Sequence, residues 1–151
     1  MKKMIWFDMD GTIANLYNVA NWLDMLIAEL PNPYEEAEPM LNMSVLARQL
    51  NALKRKGWQI GIISWLSKSS TPQYDKAVTA AKINWLNKHL KSVKFDKIHI
   101  VPYGTNKTKV CGGGILFDDE EGNRARWDNG IAFLPQEITK VLHRLNKDAV
   151  A

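Results

Sequence analysis

Apolar and polar positions along this chain change period several times, and the changes outline its elements. Met4-Ile5-Trp6-Phe7 is a continuous apolar run that stops at Asp8, the pattern of a short buried strand. From Ile13 the period lengthens. Ile13, Leu16, Ala20, Leu23, Ile27 and Leu30 recur at alternating steps of three and four, which predicts one amphipathic helix over 13–30. Pro31, Pro33 and Pro39 then predict turns around Glu35, Glu36 and Glu38. A second helix is expected from about Met43 to Lys56, with Leu46, Leu50 and Leu53 on one side. Lys54, Arg55 and Lys56 complement the dipole at its C-terminal end, and Gly57 supplies the stop.

Trp58–Ser64 (WQIGIIS) is the next apolar strand. Thr71-Pro72 pairs a capping side chain with proline at the first helical position, and Val78, Ala81, Trp85 and Leu86 carry that helix towards Leu90. Further strands are expected at Lys97–Val101, Gly114–Phe117 and Gly130–Phe133. A last helix opens at Pro135 and buries Ile138, Val141, Leu142 and Leu145. Strand and helix alternate through most of the chain, which predicts an α/β fold of Rossmann-like kind, a mostly parallel sheet flanked by helices. In such sheets ligands sit at the carboxyl ends of the strands.

A length of 151 residues is one domain's worth of material. An apolar fraction of 46% and a charged fraction of 24% are ordinary for a soluble globular protein. The net charge of +4 and the isoelectric point near 9.2 fit an anionic substrate, although many proteins without one share that balance. A single cysteine rules out an intrachain disulfide and agrees with a reducing compartment. Asp8 and Asp10 interrupt the apolar run a signal peptide needs, and no stretch approaches the roughly 18–20 apolar residues of a membrane span. The expectation is a cytoplasmic protein that does not engage a membrane.

Chemistry concentrates at three strand ends. In Asp8-Met9-Asp10-Gly11-Thr12, two carboxylates separated by one residue can point into one crevice, and Gly11 permits the turn that follows. A lone D-x-D is more often a capped turn, but the full D-x-D-G-T after an apolar strand is far more specific. Ser64 ends the strand IGIIS, where its hydroxyl and the N–H of Trp65 suit a phosphate oxygen, as they also suit an ordinary turn. Asp118-Asp119 follows GILF, and adjacent carboxylates at a strand end repel unless a cation neutralises them or water solvates the loop.

The order D-x-D-G-T, strand-end serine, lysine, then D-D resembles that of the haloacid dehalogenase (HAD) superfamily along nearly the whole length. FDMDGTIANL at 7–16, KINWLNKHL at 82–90, NKTKV at 106–110 and ILFDDE at 115–120 resemble its 5'(3')-deoxyribonucleotidases most. The resemblance implies a phosphatase in which Asp8 accepts the phosphoryl group as an aspartyl-phosphate. Asp10 would protonate the leaving oxygen and then activate water. Mg2+ would be held by Asp8, by the backbone carbonyl of Asp10 and by Asp119, with Asp118 either a further ligand or a neighbour. Ser64 and the N–H of Trp65 would grip the phosphoryl oxygens. Lys107, rather than Lys109, would offset the negative charge.

The resemblance further implies a single HAD-like domain over 1–151 with a small helical cap inserted at about 13–42. The expected partner is a phosphorylated small molecule, first of all a (deoxy)nucleoside monophosphate. Nucleic-acid ends, phosphoproteins and sugar phosphates are the alternatives, and a non-catalytic binding domain of the same fold is another. Asn15, Tyr17, Asn18, Trp22 and Trp65 are candidates either for substrate contact or for packing, and Trp127 is expected to close one side of the site. Thr12 is expected to cap the following helix and Cys111 to be a buried, idle thiol. His89, His99 and His143 have no metal-like spacing, and Gly112-Gly113-Gly114 lacks the lysine of a P-loop and is expected to be a flexible turn.

Overall fold

The computed structural model describes residues 2–148, so the extreme ends of the expected 1–151 unit lie outside the described residues. Strands β1 (Met4–Phe7), β2 (Gln59–Trp65), β3 (Lys97–Val101), β4 (Gly114–Phe117) and β5 (Gly130–Phe133) form one sheet in the order β3-β2-β1-β4-β5. Every pairing is parallel, with Phe7 opposite Ile62 on one side and Phe117 on the other. The expected α/β architecture is therefore present, and its sheet is wholly parallel. The chain runs outward from β1 to β3, then returns to lay β4 on the other side of β1. That reversal opens a crevice at the carboxyl ends of β1 and β4, the place where such sheets bind ligands.

The helices are α1 (Trp22–Ile27), α2 (Asn32–Glu36), α3 (Met43–Arg55), α4 (Pro72–His89), α5 (Lys107–Cys111), α6 (Glu121–Arg126) and α7 (Ile138–Asp148). Among the described residues no helix is long and apolar enough to cross a membrane. Side chains alternate across the sheet as strand geometry requires. Ile5, Phe7, Ile60, Ile62, Ile115 and Phe117 pack with Leu46, Leu50 and Leu53 of α3 and with Val141 and Leu142 of α7. Met4, Trp6, Ile63 and Leu116 share the second cluster with Cys111 and Trp127.

Caps set the helix starts that matter for the site. The Asn42 side chain accepts from the Val45 N–H at 3.0 Å, and that of Thr71 from the Tyr74 N–H at 3.2 Å. Pro72 stands at the start of α4, as its sequence predicts. The last helix opens with a 3-10 turn, Pro135–Glu137, before α7 begins.

The region 13–30 departs from expectation. Instead of one helix it forms a turn, a 3-10 turn at Leu16–Asn18 and the six-residue α1. The cause lies in where its backbone groups go. Asn15 N–H donates to Glu38 O at 2.8 Å, and Met40 N–H donates to Ile13 O at 2.9 Å. Positions 13–15 are thus paired with 38–40 rather than with their own next turn. Asn21 and Glu29 take left-handed conformations (φ 60° and 57°) that bound α1. The proline-rich stretch is more ordered than expected, because Pro33 falls in the first turn of α2, where its missing N–H costs nothing. Leu16, Tyr34, Tyr74, Val78 and Ala81 then fasten this inserted segment to α4.

Two more expectations change. Gly112-Gly113-Gly114 leads straight into β4, with all three residues at positive φ, and a Cβ at Gly113 would collide with the backbone carbonyl of Asn129. Trp127 does not flank the site. It is buried in the second cluster, its indole N–H donating to Gly114 O at 2.9 Å.

Candidate active site

The backbone ladder brings the acidic residues together. Beyond β1, Asp8 N–H still donates to Phe117 O at 3.0 Å, and beyond β4, Asp118 N–H donates to Phe133 O at 3.1 Å. Asp8 and Asp118 consequently stand side by side where two parallel strands end. Lys107, at the start of α5, places its ammonium 2.9 Å from Asp8 Oδ1 and 2.7 Å from Asp118 Oδ2. Burial works against its charge, but Asp8 first and then Asp118 more than compensate, so the Lys107 ammonium is held well above the usual lysine range. Lys109 is exposed and takes no part in this cluster.

Thr12 donates its hydroxyl to Asp8 Oδ2 at 2.8 Å and accepts the Asp119 N–H at 3.2 Å. It is a bridge between two carboxylate-bearing loops and caps no helix, since the chain turns here instead of entering one. Gly11 has φ +79°, and a Cβ there would run into the Asp119 carboxylate and the Tyr17 ring. Glycine is therefore what lets the turn after Asp10 close against Asp119.

Asp118 is fully buried and well partnered. Besides Lys107, it accepts from the Glu120 N–H at 2.9 Å and from Asn123 Nδ2 at 3.2 Å. Asn123 is a buried participant that sequence reasoning missed. Asp119 is half-buried, with the Thr12 hydroxyl at 3.5 Å from Oδ1. One ligand oxygen each from Asp8, Asp118 and Asp119 lie within 4.8 Å of one another. Burial, and then the charge of Asp8, push both the Asp118 and the Asp119 carboxyls above the ordinary carboxylate range. Four carboxyl groups (8, 10, 118 and 119) face only two ammonium groups, those of Lys82 and Lys107, and a bound cation would favour the deprotonated form of those it touches. The donors are all hard oxygens, a set that fits a divalent ion such as Mg2+. Asp118 is already engaged by three donors, so Asp119 has the freer oxygens for direct coordination.

Asp10 is held separately. Its Oδ2 lies 2.9 Å from the ammonium of Lys82, which also donates to Ser64 Oγ at 2.6 Å and to the Trp65 carbonyl at 2.8 Å. Burial raises the Asp10 carboxyl above its ordinary range, with Asp8 adding to the shift and Lys82 opposing it. Lys82 was not among the expected site residues, yet one signal was available. Val78, Ala81, Lys82, Trp85 and Leu86 follow the i, i+3, i+4, i+7, i+8 spacing of a buried stripe, and a lysine on such a stripe needs buried acceptors.

Ser64 is wholly buried and bonded to Lys82, and it does not reach the wall of the cavity above the carboxylates. Trp65 does. Its indole N–H donates to Thr105 O at 2.9 Å, its ring lies 5.0 Å from that of Tyr103, and the Lys107 ammonium is 5.4 Å from its centre.

The cavity measures about 430 Å3. Asp8, Asp10, Asp118 and Asp119 form its floor, Trp65 and Tyr103 one wall, and Trp22, Leu23, Leu26 and Ile27 of α1 another. Of the four candidates on the inserted segment, Tyr17 and Trp22 line the cavity, while Asn15 and Asn18 do not. Cys111 is buried as expected, and burial pushes its thiol up to about 12. His99 stacks on Trp6 and His89 packs tilted against Trp85, and neither belongs to the acidic cluster.

Scanned against models of known protein families, the chain matches none, and no curated protein is significantly similar to it. What fold and site together define is a parallel α/β protein with an acidic cluster, able to hold a metal ion, at the reversal point of its sheet.

Proposed function

We propose that this chain is a Mg2+-dependent phosphomonoesterase of the haloacid dehalogenase type, working through an aspartyl-phosphate on Asp8. The observation that carries the reading is Lys107 bridging Asp8 and Asp118 while Asp119 stands beside them. That arrangement supplies a desolvated carboxylate nucleophile, a fixed positive charge and oxygen donors for a cation in one crevice.

Asp8 Oδ1 and Oδ2 are each held, by Lys107 and Thr12, so the carboxylate presents itself in one orientation. It attacks phosphorus and forms the acyl phosphate as the ester oxygen leaves. Asp10, whose raised pKa favours the acid form, donates a proton to that oxygen and later takes one from the water that hydrolyses the intermediate. Asp8, Asp119 and the backbone carbonyl of Asp10 would hold Mg2+, with Asp118 behind them. When bound, the ion neutralises charge on the phosphoryl oxygens. Lys107 adds a point charge on the same side.

The substrate we favour is a (deoxy)nucleoside monophosphate. A cavity of about 430 Å3 lies in the range of small-molecule sites, and Trp65 and Trp22 offer rings against which a base can stack. A phosphorylated nucleic-acid end has less support, because the groove beyond Tyr103 sets Glu120 and Glu121 against a single basic residue, Arg126.

The test is a phosphate-release panel in Mg2+ and in EDTA over deoxynucleoside monophosphates, sugar phosphates and 5'- or 3'-phosphorylated oligonucleotides. Mg2+-dependent release, fastest from the mononucleotides, is expected. Faster turnover of sugar phosphates would overturn the substrate assignment, and inactivity on every ester would overturn the phosphatase reading.

A further inference from the structure

Lys82 is a lysine with 1% of its side chain exposed, and its three acceptors come from two different strand ends. An ammonium has three protons, and here each has a partner: Asp10 Oδ2, Ser64 Oγ and the Trp65 carbonyl. Its remaining face is covered by the ring of Tyr34 at 5.0 Å, and the Tyr34 hydroxyl is in turn 2.7 Å from Ser67 Oγ. Burying a lysine this deeply is costly unless its protons find acceptors, and one of the three acceptors is Oδ2 of Asp10.

Resting on the phosphatase reading above, we propose that Lys82 is the positioning residue for the acid–base group. By occupying Asp10 Oδ2, it leaves Oδ1 as the oxygen that carries the transferable proton. By donating to Ser64, it turns that hydroxyl's own proton away from the ammonium. Tyr34, supplied by the inserted segment, keeps water from competing for these bonds. Lys82 does not touch the phosphoryl group; it acts through the orientation of Asp10. The proton passes from Asp10 Oδ1 to the leaving oxygen as the phosphorus–oxygen bond breaks.

Such a role has a signature that general damage lacks. Loss of a well-placed acid slows esters with poor leaving groups and spares those whose leaving group departs unprotonated. The experiment compares kcat/KM of wild type and Lys82→Met, in Mg2+, on a deoxynucleoside 5'-monophosphate and on p-nitrophenyl phosphate. We expect a loss of about 100-fold on the alkyl ester and under about 5-fold on the aryl ester. In an Asp10→Asn background the same substitution is expected to cost under about 3-fold on either ester, since the group it positions is gone.

Should Lys82→Met fail to fold in a thermal melt, Lys82→Arg is measured instead. Its planar fork cannot meet the same three acceptors, and the same split between esters is expected. Equal losses on the two esters, or no loss on either, would overturn the inference while leaving the phosphatase reading intact. Failure of wild type to release phosphate from either ester would overturn both.

Discussion

The floor of the cavity and the inserted segment above it are built on opposite terms. On the floor, Lys107 and Lys82 are buried, each paired with a carboxylate and with further acceptors that hold it in place. In the inserted segment, α1 buries none of its residues, and Leu23 and Ile27 are 53% and 73% exposed beside the cavity. The floor is over-determined by the strand ends that carry it. The wall is held by a few contacts and offers apolar surface whose partner lies outside the protein's own core. Under the proposed function, chemistry would belong to the first region and discrimination among substrates to the second.

This contrast can be broken most severely at Asp8. Asp8→Asn is expected to lower kcat by about 10^4-fold or more while a thermal melt shows no loss of stability, since one negative charge leaves a crowded cluster. Next comes Lys107→Met, which strands two buried carboxylates without their cation. Urea unfolding in EDTA is expected to show a loss of about 3–5 kcal/mol, part of it recovered in Mg2+. A loss below 1 kcal/mol, on the order of a surface pair, would mean the floor is not organised by Lys107.

Acidity sharpens the same distinction. With no cation bound, Asp118 is pushed up to about 6 and Asp119 up to about 8. A metal needs these carboxyls deprotonated, so lowering the pH from 8 to 6 makes protons compete with it. The midpoint of a Mg2+ titration is expected to move to higher concentration, by up to about tenfold per pH unit. A midpoint that is flat across that window would contradict the assignment of these carboxylates to the ion.

On the wall, effects are smaller and of another kind. Trp22→Ala is expected to raise KM about tenfold with kcat changed by less than about 3-fold, the pattern of lost uniform binding. Leu23→Ser is expected to leave stability within about 0.5 kcal/mol of wild type, because the side chain is not part of the core. If either substitution abolished kcat instead, the division between floor and wall would fail.

The same contrast explains what could be read from the sequence. The strands Lys97–Val101, Gly114–Phe117 and Gly130–Phe133 have the bounds expected of them, α3 begins at Met43 as expected, and α4 begins after its predicted capping residue Thr71. Those elements announce themselves locally, through apolar runs, glycine or aspartate stops and side chains that cap. Asp8, Asp10 and the Asp118-Asp119 pair were legible for the same reason, since each lies at or near a strand end of the sheet, whereas Lys107 stands out from Lys109 only by its resemblance to a family motif. The stripe from Ile13 to Leu30 misled because a period of three to four does not say whether an apolar face meets the core or a cavity. Ile13 packs inside and Leu16 is buried at the edge of the cavity, whereas Leu23 and Ile27 stand exposed beside it. Nor could local pattern foresee that 13–15 would pair with 38–40. The buried stripe of α4 could flag Lys82 but not its partners, which lie 18 and 72 residues away. The helices α5 and α6, of five and six residues, are too short to show a period.

The central claim is that Asp8 accepts the phosphoryl group, and trapping that group tests it most directly. Wild-type protein in Mg2+ is mixed with a substrate radiolabelled at its phosphate, quenched in acid during turnover, digested and mapped. The account predicts a hydroxylamine-labile label on the peptide that contains Asp8, and no label on the Asp8→Asn protein. Steady phosphate release with the label absent from that peptide, or an Asp8→Asn protein that turns over like wild type, would contradict it.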